Sequence, residues 1–312
     1  MDLISRARPV DRLVSAYSLG FAVLWLGAPG RAAFIPTVVC AHVAAAVLPS
    51  VLARRHAAGR RVGRTLHELY PLIFVLLVWI EMGLVREFLH AAANDPVIAA
   101  ADQVLFGRHL HAVWMPAMPH VWFSELMFLI YLAYYPLVFL TPVVLLLLGR
   151  RQALRGVMLG LAVAYLGCYA LYAVFPVDGP SHTMGRYAGP LTEGLFYRLS
   201  TGAVHAGDSL GTAFPSSHVA GAVSMAILAS RWLSRPVAWL FGFEAAGVVL
   251  ATVYTQNHFA VDALAGILLA VLLQLVAVPL LSASLAGRPI RVPVPPLPVY
   301  ASSASAIASP WR

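Results

Sequence analysis

The sequence predicts an all-α helix bundle built into a membrane. Hydrophobic residues make up 60% of its 312 residues and charged residues only 11%, with a mean hydropathy of +0.80. A soluble domain carries about 25% charge. The apolar residues gather into eight runs, each near the ~20 residues that a bilayer-spanning helix needs. The arginines fall mostly on one side of those runs, as they do in polytopic membrane proteins. An ordinary cytosolic enzyme, a disordered chain and a fibrous repeat are excluded.

In chain order the predicted spans are 13–30, 33–53, 66–86, 123–148, 156–175, 214–233, 236–255 and 259–281. Arg6, Arg8 and Arg12 precede the first, which ends at Pro29 and Gly30. A signal peptide shares that charge pattern, but no small-x-small cleavage site follows, so the segment is read as a span. The first two spans and a basic loop make up 1–65, and a six-helix core fills 66–281. Within the core, 87–122 holds Trp114, Trp122, several prolines and an amphipathic stretch near 94–106. Short helices lying in the membrane interface are expected there. The Pro- and Ser-rich stretch 282–312 is expected to be a disordered cytoplasmic tail.

All 21 basic residues are arginine. With the N-terminus inside, 16 of the 21 lie in cytoplasmic segments. Outside stand only Arg31, Arg86, Arg108, Arg186 and Arg198. Both termini are therefore expected in the cytoplasm. Dispersed arginine clusters between apolar runs signal topology, not nucleic acid, and no nucleic-acid partner is expected. Arginine without lysine reflects the codon bias of a GC-rich genome, which points to a bacterial inner or plasma membrane. Cys40 and Cys168 sit inside apolar runs and are read as small buried hydrophobes, with no disulfide. The oligomeric state is left open.

Eight of the 11 histidines fall in or beside outside segments, so chemistry is expected on the non-cytoplasmic face. Two stretches carry it. The first is Gly207-Asp208-Ser209 … Phe214-Pro215-Ser216-Ser217-His218, entering the sixth span. The second is Asn257-His258-Phe259-Ala260-Val261-Asp262, entering the eighth. His258 and Asp262 are four apart and share a helix face. A carboxylate there can take the proton of one ring nitrogen and leave the other free as nucleophile or base. A helix start with Ser216, Ser217 and His218 offers free N–H groups, a positive dipole end and hydroxyls to an anion. A Ser-Ser-His turn alone is usually a cap, and a lone His-x-x-x-Asp is usually a satisfied polar pair. Both together, on one membrane face with one helix pair between them, suit phosphoryl transfer: His258 attacks phosphorus and His218 protonates the leaving oxygen.

These stretches resemble the second and third signature motifs of the type-2 phosphatidic acid phosphatase superfamily. Phe175-Pro176 with Gly179-Pro180 resembles the degenerate first motif of one branch. That branch contains inositol-phosphorylceramide synthase and is related to sphingomyelin synthases. The segment Asp95 to Gly107, with Asp102, also looks like its bacterial members. The resemblance covers roughly 90–275. It implies a covalent phospho-histidine at His258, oriented by Asp262, with His218 as acid then base. It also implies a phosphate pocket that includes Ser216 and Ser217, membrane lipids as substrates, and neither metal nor cofactor.

The departures matter. No match is found to the Lys and Arg of the phosphatase first motif, and Thr252 stands where the third motif of phosphatases has Arg. A monoester carries nearly two charges and a diester one, so a site short of cations suits a diester donor. A transferase moving a phospho-head group between lipids is the expected function. A lipid phosphate or polyprenyl pyrophosphate phosphatase, with water as acceptor, is the alternative. A transporter is the remote one, since no paired broken helices or inverted repeat is visible. Arg186 and His182 are candidate replacements for the missing clamp, and Asp208 and Tyr187 are candidate head-group contacts. Glu81 and Glu125 are read as lining an acceptor pocket, and Glu244 as a buried, hydrogen-bonded carboxyl. His109-Leu110-His111 is read as a solvated loop pair with no metal.

Overall fold

A computed structural model describes residues 7–29, 32–57, 61–90 and 92–286. Its helices are α1 (Pro9–Leu26), α2 (Ile35–Ala57), α3 (Arg61–Leu89), α4 (Asp95–Phe106), α5 (Leu110–Ala117), α6 (Val121–Leu147) and α7 (Arg151–Val174). They continue as α8 (Pro180–Thr183), α9 (Leu195–Gly207), α10 (Ser217–Trp232), α11 (Arg235–Tyr254), α12 (Ala260–Leu272) and α13 (Val278–Ala286). A π-turn at Leu273–Ala277 joins α12 to α13.

Five helices are long and apolar enough to cross a membrane: Ile35–Ala57, Val121–Leu147, Arg151–Val174, Arg235–Tyr254 and the continuous Ala260–Ala283. That makes the chain an integral membrane protein. The count is lower than the eight expected. The other three expected spans are helices, but they are shorter or more polar. α10 has 16 residues, α1 opens on Asp11 and Arg12, and α3 carries Arg61, Arg64, Glu68, Glu81, Arg86 and Glu87. The expected basic loop 54–65 is also mostly helix. Arg54 and Arg55 lie in the last turn of α2, where cations complement the helix dipole, and Arg61 and Arg64 open α3. Residues 282–286 of the expected disordered tail are instead the end of α13, and the rest of it lies outside the described residues.

α7 runs through the centre, and Leu154, Val157, Ala164 and Cys168 on it are fully buried. It packs against α3, α6 and α10, while α1 and α2 pair beside it. Cys40, expected to be buried, is exposed on α2, whose flank meets little protein.

The end where α1, α3 and α7 begin is held by a buried charge network. Glu68 accepts Arg8 at 2.8 Å and Arg155 at 2.7 Å. Asp11 accepts Arg8 at 2.9 Å and the Tyr70 hydroxyl at 2.8 Å. Arg8 and Arg155, read from sequence as topology signals, thus also tie three helices together. Removing Glu68 leaves Arg8 paired with Asp11 and Arg155 open to solvent, so the loss is smaller than that of a fully buried pair but still cuts the tie among three helices. Glu68→Ala is therefore expected to lower the thermal midpoint in detergent by several degrees, and an unchanged midpoint contradicts this reading.

Candidate active site

α10 and α12 begin side by side at the opposite end of the bundle. Ser216 is the N-cap of α10, and its Oγ accepts the Val219 N–H at 3.4 Å. The Ser216 N–H donates to the Asp262 carbonyl at 3.0 Å. Gly266 faces this junction, where a Cβ would stand 2.7 Å from the Ser216 carbonyl oxygen. Only glycine lets α12 approach the start of α10 so closely.

The Phe175–Pro180 stretch runs alongside the residues that enter α10. The Val177 N–H donates to Gly211 at 3.3 Å, and the Ala213 N–H donates to Val177 at 2.8 Å. Gly179 sits at φ +91°, and a Cβ there would meet Ala213 at 2.8 Å. Asp95 at the start of α4 accepts the N–H groups of Asp178 and Gly179 at 2.9 and 2.7 Å. Asp178 in turn holds Arg86 at 3.0 and 3.1 Å. The Phe175–Pro180 stretch is thereby fastened to both α4 and the approach to α10.

This fastening places the Ala213 carbonyl 3.0 Å from His258 Nδ1. A carbonyl oxygen only accepts, so Nδ1 carries the proton and Nε2 keeps its lone pair. The Asp262 carboxylate is 3.5 Å from the same Nδ1. Its Oδ2 accepts the Phe259 N–H at 2.8 Å, which caps α12. Asp262 is thus a buried negative charge beside the ring, while the backbone supplies the shorter hydrogen bond.

The His218 ring lies 6.0 Å from the His258 ring, centre to centre. His218 Nε2 meets the hydroxyls of Tyr135 at 3.0 Å and Tyr131 at 3.2 Å. Tyr131 also stacks on the ring at 4.9 Å. Nδ1 has no protein partner among the described residues.

Both histidines line one cavity of about 390 Å³. Ser217, Asn257, Asp178, His182 and Asp208 line its polar end. Trp79, Tyr134, Tyr165 and Tyr169, with Leu76 and Phe139, line the remainder. Tyr134 and Tyr165 share a hydroxyl–hydroxyl bond of 2.5 Å. A polar end and a large aromatic wall suit an amphiphile better than a small hydrophilic solute.

The sequence-predicted residues divide accordingly. His258, His218, Ser217, His182 and Asp208 share the cavity wall, whereas Ser216, Arg186 and Tyr187 are not part of it. The Ser216 hydroxyl is occupied as a cap. Arg186 reaches the neighbourhood through Asn257, whose Oδ1 accepts its Nη2 at 2.7 Å. Tyr187 turns to Gln256, which accepts its backbone N–H at 2.8 Å. Glu81 does not line the cavity; it binds Trp25 at 2.5 Å and His42 at 2.8 Å, linking α3 to α1 and α2. Glu125 is likewise structural, accepting the Phe196 and Tyr197 N–H groups at 2.9 and 3.1 Å at the start of α9. Glu244 is expected to be hydrogen-bonded, but among the described residues its buried Oε1 has no partner. His111, expected to be solvated, is 2% exposed.

Sequence reasoning missed the tyrosines around His218. The signal was there: Tyr131, Tyr134 and Tyr135 stand at helical spacing inside an apolar span, on one face.

His182 and Asp208 form an ion pair at 3.0 Å at the cavity. The hydrogen bond that His182 donates to Asp208 holds the imidazole above its usual range, against the opposing effect of burial. Burial pushes the Asp208 carboxyl up, but the bond and charge of His182, the Ser209 N–H and Arg186 together outweigh it and leave the group below its usual range. The raised histidine contributes stability at low pH that is lost as pH rises through its folded value. Amide exchange in 178–184 and 207–210 is accordingly expected to speed up, beyond the intrinsic base-catalysed rate, as pH rises from the ordinary histidine range to well above it. Asp208→Asn is expected to abolish that extra change, and a change of equal size in the variant contradicts the assignment.

No curated protein and no solved structure matches the chain. A family profile does match, over residues 97–276, and it is that of the PAP2 superfamily. Its members are membrane phosphatases and phosphotransferases acting on lipid phosphates. The match spans more than half of the chain and takes in α10, α12 and both histidines, so the chain belongs to the PAP2 superfamily.

Proposed function

We propose that the protein is a membrane-embedded phosphotransferase that moves a phospho-head group between lipids through a phospho-histidine at His258. The observation that carries the proposal is one cavity with both His258 and His218 in its wall, where Ala213 holds His258 Nδ1 and leaves Nε2 free.

In the first step, His258 Nε2 bonds to phosphorus and the bond from phosphorus to the lipid oxygen breaks. A protonated His218 gives that oxygen its proton and is left neutral beside Tyr131 and Tyr135. The positive charge that develops on the phosphorylated His258 ring is offset by Asp262 at 3.5 Å. In the second step, an acceptor hydroxyl attacks phosphorus, its proton passes back to His218, and the phosphorus–nitrogen bond breaks. No step passes through a metal.

A diester donor fits this site. The cations near the cavity are His182 paired with Asp208, Arg86 paired with Asp178, and Arg186 behind Asn257. The acceptor is a lipid hydroxyl or a small polyol. The parallel to inositol-phosphorylceramide synthase belongs to this proposal, as do eight membrane crossings, cytoplasmic termini and a non-cytoplasmic site. One observation favours the hydrolytic alternative. Arg186 stands one residue from the nucleophile by way of Asn257, and among the described residues its buried Nε has no partner, so a turn of that side chain would add a full positive charge for a monoester. Incubation of the purified protein with labelled glycerophospholipids, with and without ceramide or diacylglycerol, separates the two. Head-group transfer onto the added alcohol supports the transferase; free phosphate or head-group phosphate alone assigns water as acceptor.

A further inference from the structure

Asp102 near the end of α4, His109 before α5 and His111 within α5 converge under the first turn of α12. Ligand-capable atoms of the three lie within 4.8 Å of one another. Asp102 is fully buried, and among the described residues it has no arginine partner. Its Oδ2 lies 3.1 Å from His109 Nδ1, and its Oδ1 accepts the Val261 N–H at 3.1 Å. His111 is 2% exposed, and among the described residues neither of its ring nitrogens has a partner.

These facts are difficult to reconcile with a purely structural cluster. A buried carboxylate is costly without a counter-charge, and a buried imidazole with both nitrogens unmet forfeits its hydrogen bonds. A neighbouring carboxylate, Asp262, caps the same first turn and adds a second buried negative charge. A divalent cation answers each deficit at once. It balances Asp102 and gives one nitrogen of His111 a partner. In a tetrahedral site with bonds of about 2.0–2.1 Å, neighbouring ligand atoms stand about 3.3 Å apart. The Asp102–His109 separation of 3.1 Å is already close to that value.

We propose that Asp102, His109 and His111 form a binding site for a zinc-class divalent ion that braces α4 and α5 against the start of α12. Two imidazoles and one carboxylate suit zinc, cobalt or nickel, whereas magnesium and calcium prefer all-oxygen sets. His109 is 29% exposed in its side chain and gives the ion a route from solvent. None of the three residues lines the cavity that holds His218 and His258. The ion is structural: through the Asp102–Val261 bond it steadies the turn that carries Asp262, and it touches no substrate.

The test uses the full chain in detergent, purified by a tag without histidines, stripped with a chelator and reloaded with Zn²⁺ or Co²⁺. The wild type is expected to hold one ion per chain, to show the visible bands of tetrahedral Co²⁺, and to gain about 5 °C or more in thermal midpoint on loading. His109→Ala, the more exposed ligand, and His111→Phe, which keeps a ring against Phe259, are each expected to lose the bands and the gain. His258→Ala is expected to retain both, which separates this site from the proposed chemistry. Metal uptake by stripped wild type that does not exceed that of a His109→Ala/His111→Phe double variant overturns the proposal. So does uptake that His258→Ala removes.

Discussion

His258→Ala is expected to reduce turnover by about 10⁴-fold or more, the scale seen when a covalent nucleophile is removed. The loss should fall on kcat, because the cavity wall contributed by Tyr134, Tyr165, Tyr169 and Trp79 is untouched and lipid binding persists. The ring is 5% exposed at the junction of α10 and α12, so some loss of stability accompanies the change. A thermal melt of the variant separates the two effects: a folded, lipid-binding, inactive protein is the expected outcome. Substantial activity in the folded variant removes His258 from the nucleophile's role.

His218→Ala is expected to cost about 10²–10⁴-fold, the usual worth of a general acid. The loss should depend on the leaving group. A natural lipid alkoxide needs a proton as it departs, whereas a phenolate does not. A synthetic phosphodiester with a phenolic leaving group is thus expected to recover most of the first-step rate in the variant. Equal losses with both donors would assign His218 to binding. The tyrosine hydroxyls at 3.0 and 3.2 Å sharpen this expectation. They engage Nε2 and fix the orientation of the ring.

Much of this was legible in the sequence, for reasons that can be named. Bilayer thickness sets helix length, so apolar runs located every long helix, and Pro-Ser-Ser-His and His-x-x-x-Asp marked two helix starts that do lie together. Polar content and length then blurred which helices cross. α3 spends Glu81 on Trp25 and His42, and α10 has only 16 residues. Partners across the bundle were out of reach. Helical periodicity gives a residue's face but not what stands opposite it, so Arg186 found Asn257 and Tyr187 found Gln256. The Ala213 carbonyl, which takes the hydrogen bond expected for Asp262, is backbone and has no sequence signal. The burial of His111 was invisible for a related reason. A loop histidine is normally solvated, and only the packing of α4 and α5 against α11 and α12 covers this one.

The central claim is that phosphorus passes through His258. It is tested most directly by rapid quenching of the wild-type protein with a donor labelled at phosphorus, followed by denaturation at alkaline pH. The account predicts label bound to the chain that survives alkali, is released by acid, maps to the peptide containing His258 and is absent from His258→Ala. Turnover without any such label, or label that persists in His258→Ala, would contradict it.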